Sequence, residues 1–441
     1  MMPGSHAVFV RGSTALAALA GLAVFAACGV LGAAPASALA QSKSPVPASY
    51  PGVALERDTS PRLGEARVDS LAPQVRASWT AYLQRSHSLL AVDRAAVAAE
   101  LKSAGKEKWV AATYIHAFPV DSAWRGAWFK NSAARTLADN VLSWQTPAGG
   151  WSKHVDMAAR ARQLGESYFS ESAEWQWIGT FDNDATTTQL FLLGHVFMAQ
   201  ADARHRRGFD RGLDYVLESQ YPNGCWPQVY PLQGGYHDNA TFNDDNMAEI
   251  GDLLRRVARG EYTFVAAAKR RQAAVALTRL VACVLASQVV VDGTLTVWGQ
   301  QHDPLTLKPT SARSYELPSL TGKESAHLVD FLMDEPTPSA RVVRSVHAAV
   351  AWFRQNEVHG YSYINYVLAT DSSAGPLWAR MAEIGTNRAM FFNRDGVRHY
   401  DWDALTDRRT GYGWYTDAPI ATLATYEHWA RVHPNRGEVR R

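Results

Sequence analysis

Two stretches decide how this chain folds: Gln145-Thr-Pro-Ala-Gly149-Gly-Trp151 and, 75 residues on, Gln220-Tyr-Pro-Asn-Gly224-Cys-Trp226. Both read Q-x3-G-x-W, and a degraded third copy runs from Gln288 to Trp298-Gly299-Gln300. Self-similarity at a fixed period marks a repeat-built chain, in which each unit buries its apolar face against the next. Each copy closes a stretch of helical periodicity. Leu190, Leu192, Leu193, Val196 and Phe197 share such spacing, and Leu213, Val216 and Leu217 resume it after a short break. A second element also recurs: Thr180-Phe181-Asp182-Asn183-Asp184 returns 61 residues later as Thr241-Phe242-Asn243-Asp244-Asp245, each opening a helical run. The unit is an acidic turn, a helix, a second helix and a Gly-Trp loop. A further helical pair, about 320–333 and 339–355, continues the series. The turns begin helices and the loops end them, so both kinds gather at one end. This predicts a mainly α fold, an α/α toroid or incomplete barrel of helical hairpins, with carboxylates and tryptophans around one cleft. The last eighty residues, with Gly360-Tyr-Ser-Tyr-Ile-Asn-Tyr and Gly411-Tyr-Gly-Trp-Tyr, read as short β segments and long loops over that end.

Composition bounds the partners. Of 441 residues, 47% are apolar and 20% charged, which excludes a disordered or collagen-like chain. Lys plus Arg number 44 against 42 Asp plus Glu, and a net +2 argues against a dedicated nucleic-acid binder. Fifteen Trp, seventeen Tyr and fifteen Phe imply an aromatic-rich core or a surface for flat, partly apolar ligands such as sugars. His6 and Arg11, the Ala/Leu/Val-rich run from Thr14 to about Ala34, and Ala38-Leu39-Ala40 before Gln41 read as a cleaved secretion signal over residues 1–40. Cys28 offers a lipoprotein anchor as a minor alternative, disfavoured by the apolar run continuing past it. Residues 41–71 are rich in Pro, Ser and charge and read as a tether, leaving 72–441 as one catalytic domain. No later run is long enough to span a bilayer, so a secreted, soluble protein without membrane contact is expected. Cys225 and Cys283 remain after cleavage, and whether they pair is open.

Asp182, Asp184, Asp244 and Asp245 sit where helices should start, a position that suits N-capping. The same carboxylates, with Asn carbonyls from neighbouring turns, suit a hard cation wanting six to eight oxygens, although the spacing is not an EF-hand. Lys153 follows the first Gly-Trp loop, Arg313 lies in Lys308-Pro-Thr-Ser-Ala-Arg-Ser-Tyr-Glu-Leu-Pro-Ser319, and Arg388 and Arg394 lie in Thr386-Asn-Arg-Ala-Met-Phe-Phe-Asn-Arg-Asp-Gly396. A surface Lys or Arg is usually only solvated. A loop arginine amid Pro and aromatics is better placed to grip a carboxylate bidentately. Cations beside a calcium-type site suit an anionic, carboxylate-bearing polymer. No zinc signature, nucleophile elbow or phosphate-binding glycine loop occurs.

Taken together, GGWSKHVDM (149–157), TFDNDATTTQ (180–189), YPNGCWPQVYP (221–231), TFNDDNM (241–247), QHDPLTLKPTSARSYELPSL (301–320), TNRAMFFNRDG (386–396) and RRTGYGWY (408–415) resemble polysaccharide lyase family 10, the pectate lyases. The likeness is collinear from about residue 105 to 420. Ser152 replaces a usual Pro and Cys225 a usual Gly, and neither change removes a charge. The resemblance implies an α/α toroid and calcium-assisted anti β-elimination of α-1,4-polygalacturonate to unsaturated oligogalacturonates. It implies Asp244 as the main calcium ligand and Asp182 as an active-centre carboxylate that helps hold a catalytic calcium. It further implies Arg313 as Brønsted base, with Lys153, Arg388 and Arg394 gripping uronate carboxylates and Arg408 and Arg409 also available. The arginine base is chemically uncomfortable, because a guanidinium normally stays protonated past pH 12. A monomer acting on pectate is expected.

Three other readings fit parts of the pattern. The Q-x3-G-x-W copies resemble repeats of triterpene cyclases, which a secretion leader and the basic residues disfavour. An inverting glycosidase on an α/α barrel would use two carboxylates roughly 6.5–9.5 Å apart and consume water. A catalytically silent sugar-binding protein would show affinity without new chain ends.

Overall fold

The computed structural model describes residues 62–118, 124–170 and 177–435, so the expected leader and most of the expected tether lie outside the described residues. The end of that tether is folded. Helix α1 (Glu65–Asp69) buries Val68, and Arg67 meets Asp303 at 2.8 Å. The domain therefore starts before residue 72: a polar composition hid one buried valine and one ion pair.

The remaining helices are α2 (Pro73–Ser103), α3 (Ser132–Ser143), α4 (Thr187–Gln200), α5 (Ala203–Glu218) and α6 (Asn246–Arg259). They continue as α7 (Ala267–Ser287), α8 (Lys323–Met333), α9 (Ala340–Gln355) and α10 (Pro419–Val432). The pairs α4/α5, α6/α7 and α8/α9 are the predicted hairpins. Their first helices touch in series, α4 to α6 to α8, and α10 follows against α8. Their second helices form the other layer, α5 to α7 to α9. The protein is thus a mainly α toroid of two helical layers. Helix α10 was not foreseen, because the sequence around it carries no repeat marker.

The repeat motif is a hydrogen-bonding device. Each glutamine amide donates to a carbonyl of its own loop and to one on the helix behind: Gln145 to Gly149 (2.7 Å) and Gly208 (2.9 Å), Gln220 to Gly224 and Ala276 (both 2.9 Å). Gln288 does the same with Thr296 (2.8 Å) and Ser345 (3.1 Å), so the degraded third copy is genuine. Each tryptophan is buried and spends its indole N–H on a carbonyl of the preceding helix: Trp151 on Val141, Trp226 on Val216 (both 2.8 Å), and Trp298 on Val284 (2.7 Å). A fourth copy is visible only in three dimensions, where Trp378 donates to Phe353 at 2.8 Å. The loop glycines are needed. Gly149 and Gly224 have φ of 109° and 98°, and a Cβ there would meet the backbone of Arg211 and Arg279.

The same alignment explains the cysteines. Gly150 lies against the Tyr215 ring, four residues after Arg211. In the next repeat Cys225 takes the place of Gly150, and Cys283, four residues after Arg279, takes that of Tyr215. The two are disulfide-bonded, with Cα atoms 5.5 Å apart. A packing contact has become a covalent one.

Helix α2 braces the outer surface. Tyr82 donates to Ser219 at 2.9 Å, Ser86 accepts from Leu232 N–H at 2.9 Å, and Trp79 and Tyr82 pack on Tyr221. Further along, Asp93 is fully buried with neither carboxylate oxygen hydrogen-bonded. Burial pushes its carboxyl up to about 7, against the pull of Arg211. After α9 come the hairpin Tyr361–Ile364 with Val367–Thr370 and short two-residue pairs, whose Phe391, Trp402, Trp414 and Tyr415 make a second core.

Two outcomes follow for stability. Reducing Cys225–Cys283, which closes a span of 58 residues, should cost about 4 kcal/mol by the loop-entropy relation. An unmoved urea midpoint under reductant would contradict this. Asp93 keeps its proton to about 7 when folded but loses it near the ordinary 3.8 when unfolded. Stability contributed by this group therefore falls as pH rises between those values. Asp93→Asn should raise the melting temperature more at alkaline pH than at about pH 4, and an equal change at both would refute the assignment.

Candidate active site

The acidic turns are stitched to the Gly-Trp loops. Thr180 N–H donates to the Trp151 carbonyl (2.9 Å), Thr241 to Trp226 (3.1 Å) and Thr321 to Trp298 (2.8 Å). Residues two places beyond these anchors therefore reach one spot. Two past the threonines stand Asp182, Asn243 and Lys323, and two past the tryptophans stand Lys153, Gln228, Gln300 and Arg380. Among them Lys153, Asp182, Gln228 and Asn243 line a cleft of about 140 Å³ that also takes in Tyr236, Asp244, Arg313 and Glu316.

The turns are bent for this purpose. Asn183 and Asp184 have φ of 52° and 60°, and Asp244 and Asp245 have 48° and 65°, in the left-handed region that Asn and Asp tolerate best. Asp245 still stands at the N-cap position of α6, but in the left-handed region rather than the extended backbone usual for a capping residue. Neither α4 nor α6 receives a side-chain cap bond, so the capping reading of these aspartates fails.

Asp182 is 4% exposed and pairs with Lys153 Nζ at 2.5 Å through Oδ2, while its buried Oδ1 has no hydrogen-bond partner. Burial raises its carboxyl; Lys153 opposes this and nearby Asp244 adds to it. Asp244 is set the other way. Lys323 lies 3.3 Å and Arg380 3.2 Å from its Oδ1, and these cations, with Lys153 and Arg313, outweigh burial and hold its carboxyl below the usual range. Beside them Asp184 is pushed up to about 6 by burial and by Asp245 and its acidic neighbours. Arg380 also binds buried Glu324 at 2.8 Å and Asn243 at 3.0 Å.

Across the cleft, Arg313 is gripped bidentately by buried Glu316, Nε to Oε2 at 2.7 Å and Nη2 to Oε1 at 2.5 Å. Burial disfavours its charge, but the hydrogen bonds and charge of Glu316 win and raise it above an ordinary arginine. Tyr236 sits near it with its phenol pushed up to about 12 by burial. Of the C-terminal arginines, Arg394 and Arg408 reach the Tyr315 ring (5.7 and 4.2 Å) that Arg313 also faces at 5.0 Å. Arg388 instead lies over Tyr400 at 3.8 Å, and Arg409 hydrogen-bonds the Leu405 and Trp402 carbonyls.

Lys323, Glu324, Arg380 and Glu316 were not singled out from sequence. The signal for the first two was Thr321, the third copy of the threonine anchor. For Arg380 it was Trp378, the fourth tryptophan.

The donors present suit a calcium ion. Asp182 and Asp244 repel each other electrostatically, and the orphaned Asp182 Oδ1 is a hard oxygen without a partner. Among the described residues, the one group of three possible ligands whose ligand atoms all lie within 4.8 Å of one another is Asp139, Asp202 and His205. It is neutralised by Arg135 and Arg204 and shares no residue with the cleft.

Facing acidic turns and loop arginines in one cleft of a helical toroid suit an anionic, carboxylate-bearing polymer, and comparisons with known proteins show the family. The family described as pectic acid lyase matches residues 145–422. The solved structure of a family 10 polysaccharide lyase from Cellvibrio cellulosa is similar at a TM-score of 0.62 and 32% identity, covering 69% of this chain and 95% of that one. An aspartate-to-alanine mutant of that lyase, in complex with trigalacturonic acid, gives the same score and identity over 70% and 96%. A search of curated proteins finds no match. The chain belongs to polysaccharide lyase family 10 and is a pectate lyase.

Lys153→Met should leave Asp182 buried without its cation and cost about 3 kcal/mol, read as a lower denaturation midpoint. An unchanged midpoint would show that the pair carries no stability.

Proposed function

We propose that this secreted enzyme cleaves α-1,4-polygalacturonate by calcium-assisted anti β-elimination, using Asp182, Asp244 and Arg313. The observation that carries the reading is the opposition, in one cleft, of the Lys153–Asp182 pair and Asp244 to Arg313. The trigalacturonic acid held by the similar lyase supports the choice of polymer. The leader over residues 1–40 supports secretion.

Asp244 and Asp182 would hold the ion, which when bound draws charge from a uronate carboxylate and so acidifies the C5 proton. Lys153 lines the cleft and can meet a uronate carboxylate there, while Arg394, beside the Tyr315 ring that Arg313 also faces, and Arg388 are the candidates to grip the carboxylates of neighbouring uronates. Arg313 takes the C5 proton, the C5 electron pair forms the C4–C5 double bond, and the C4–O bond breaks. The leaving oxygen takes a proton from solvent, Arg313 later returns the C5 proton to solvent, and no water is consumed. Glu316 makes free guanidine the scarce form of Arg313, so the rate should climb with pH as that form becomes available.

The assay is ultraviolet absorbance of the unsaturated uronate during incubation with polygalacturonate. Absorbance should rise with calcium and stay flat with chelator, and no rise with calcium would overturn the reading. Arg313→Lys should lower kcat by about 10³-fold while KM changes little. Normal turnover in that variant would remove Arg313 from the role of base.

A further inference from the structure

Beyond the cleft, one group of aromatic side chains has no role in the reaction just described. The backbone at 113–115 is zipped to 154–156: Ile115 N–H donates to the His154 carbonyl and Asp156 N–H to that of Thr113, both at 3.0 Å, and Tyr114 bridges Val155. On an extended segment, residues two apart point to the same side, so Tyr114 and His116 share a face. Both are exposed, Tyr114 at 53%. Both rings lie beside His154, Tyr114 at 5.2 Å between centroids and His116 at 6.2 Å with the planes 18° apart. His154 itself lines the cleft next to Lys153, and its φ of 57° shows the backbone bent to put it there.

We infer that Tyr114, His116 and His154 form an aromatic ledge binding a further galacturonate unit of the chain whose scissile bond lies in the cleft. The inference rests on the pectate lyase reading above. A lone exposed aromatic is ordinary, but three rings in a row that continue a polysaccharide cleft are not explained by packing. Tyr114 offers a flat apolar face for the C–H face of a pyranose, and the imidazoles offer N–H donors to its hydroxyls or carboxylate. On this inference a trimer seated in the cleft meets His154 but stops short of Tyr114, whereas a longer oligomer reaches it.

The test compares kcat/KM on trigalacturonate with that on an oligomer of about eight units, with binding of the same oligomers followed by calorimetry. In Tyr114→Ala the preference for the longer oligomer should fall about tenfold, and Tyr114→Phe, which keeps the ring, should retain most of it. An unchanged preference in Tyr114→Ala overturns the ledge. An equal fall on both substrates also overturns it, because the ring would then be acting on the fold. A wild-type enzyme that forms no unsaturated product from either oligomer would instead sink the lyase reading, and the calorimetric comparison would still decide the ledge.

Discussion

The cleft depends on a pair of hydrogen bonds repeated around the toroid. A buried indole N–H is fixed to the helix behind it, and the carbonyl of the same tryptophan is fixed to a threonine N–H at the start of the next acidic turn. Each bond alone is worth about 1 kcal/mol. Their value lies in register: with both ends of the Trp–Thr step held, the residues two positions on have little freedom in where they point. Lys153 and Asp182, carried by different segments, meet at 2.5 Å for this reason. Burial of Trp151, Trp226, Trp298 and Trp378 also explains part of the tryptophan surplus, which serves architecture before it serves ligand.

The near-neutral net charge conceals a strongly partitioned cleft. Each of the main carboxylates has a cation within reach, Asp182 with Lys153, Asp244 with Lys323 and Arg380, and Glu316 with Arg313. These pairings differ in consequence. Asp244 is kept ionised by its two cations, whereas Asp182 is left with one unsatisfied oxygen and a raised carboxyl. A polyuronate brings carboxylates of its own and can compete for Lys153, as can a divalent ion for Asp182. The Arg313–Glu316 pair is bidentate, which sets a definite cost on the base role proposed for Arg313: its proton must be drawn away from a buried carboxylate that stabilises it.

What the sequence disclosed depended on whether a residue's identity was dictated by the repeat. Gln145, Gly149 and Trp151 each have a fixed hydrogen-bonding or conformational duty, so their recurrence at 220–226 was readable and the toroid followed from it. Lys323 and Arg380 occupy the same architectural slots, but nothing in the slot demands a lysine or arginine, and the motif around them has drifted. The four aspartates were ambiguous between capping and metal binding because both need a carboxylate at a helix start. The left-handed φ values at Asp184, Asp244 and Asp245, with the absence of side-chain cap bonds on α4 and α6, remove the capping alternative. Helix α10 and the folding of Val68 were missed because single contacts leave no period. Cys225 and Cys283 became interpretable once their positions were matched to Gly150 and Tyr215.

We propose that this arrangement breaks the chain by elimination, and the most direct test is to digest an oligogalacturonate of defined length in ordinary water and weigh the products. Elimination predicts that the masses of the two fragments sum to that of the substrate, with one fragment lighter by a water than the saturated oligomer of the same length. Fragment masses that sum to the substrate plus one water per cleavage would show hydrolysis and contradict elimination.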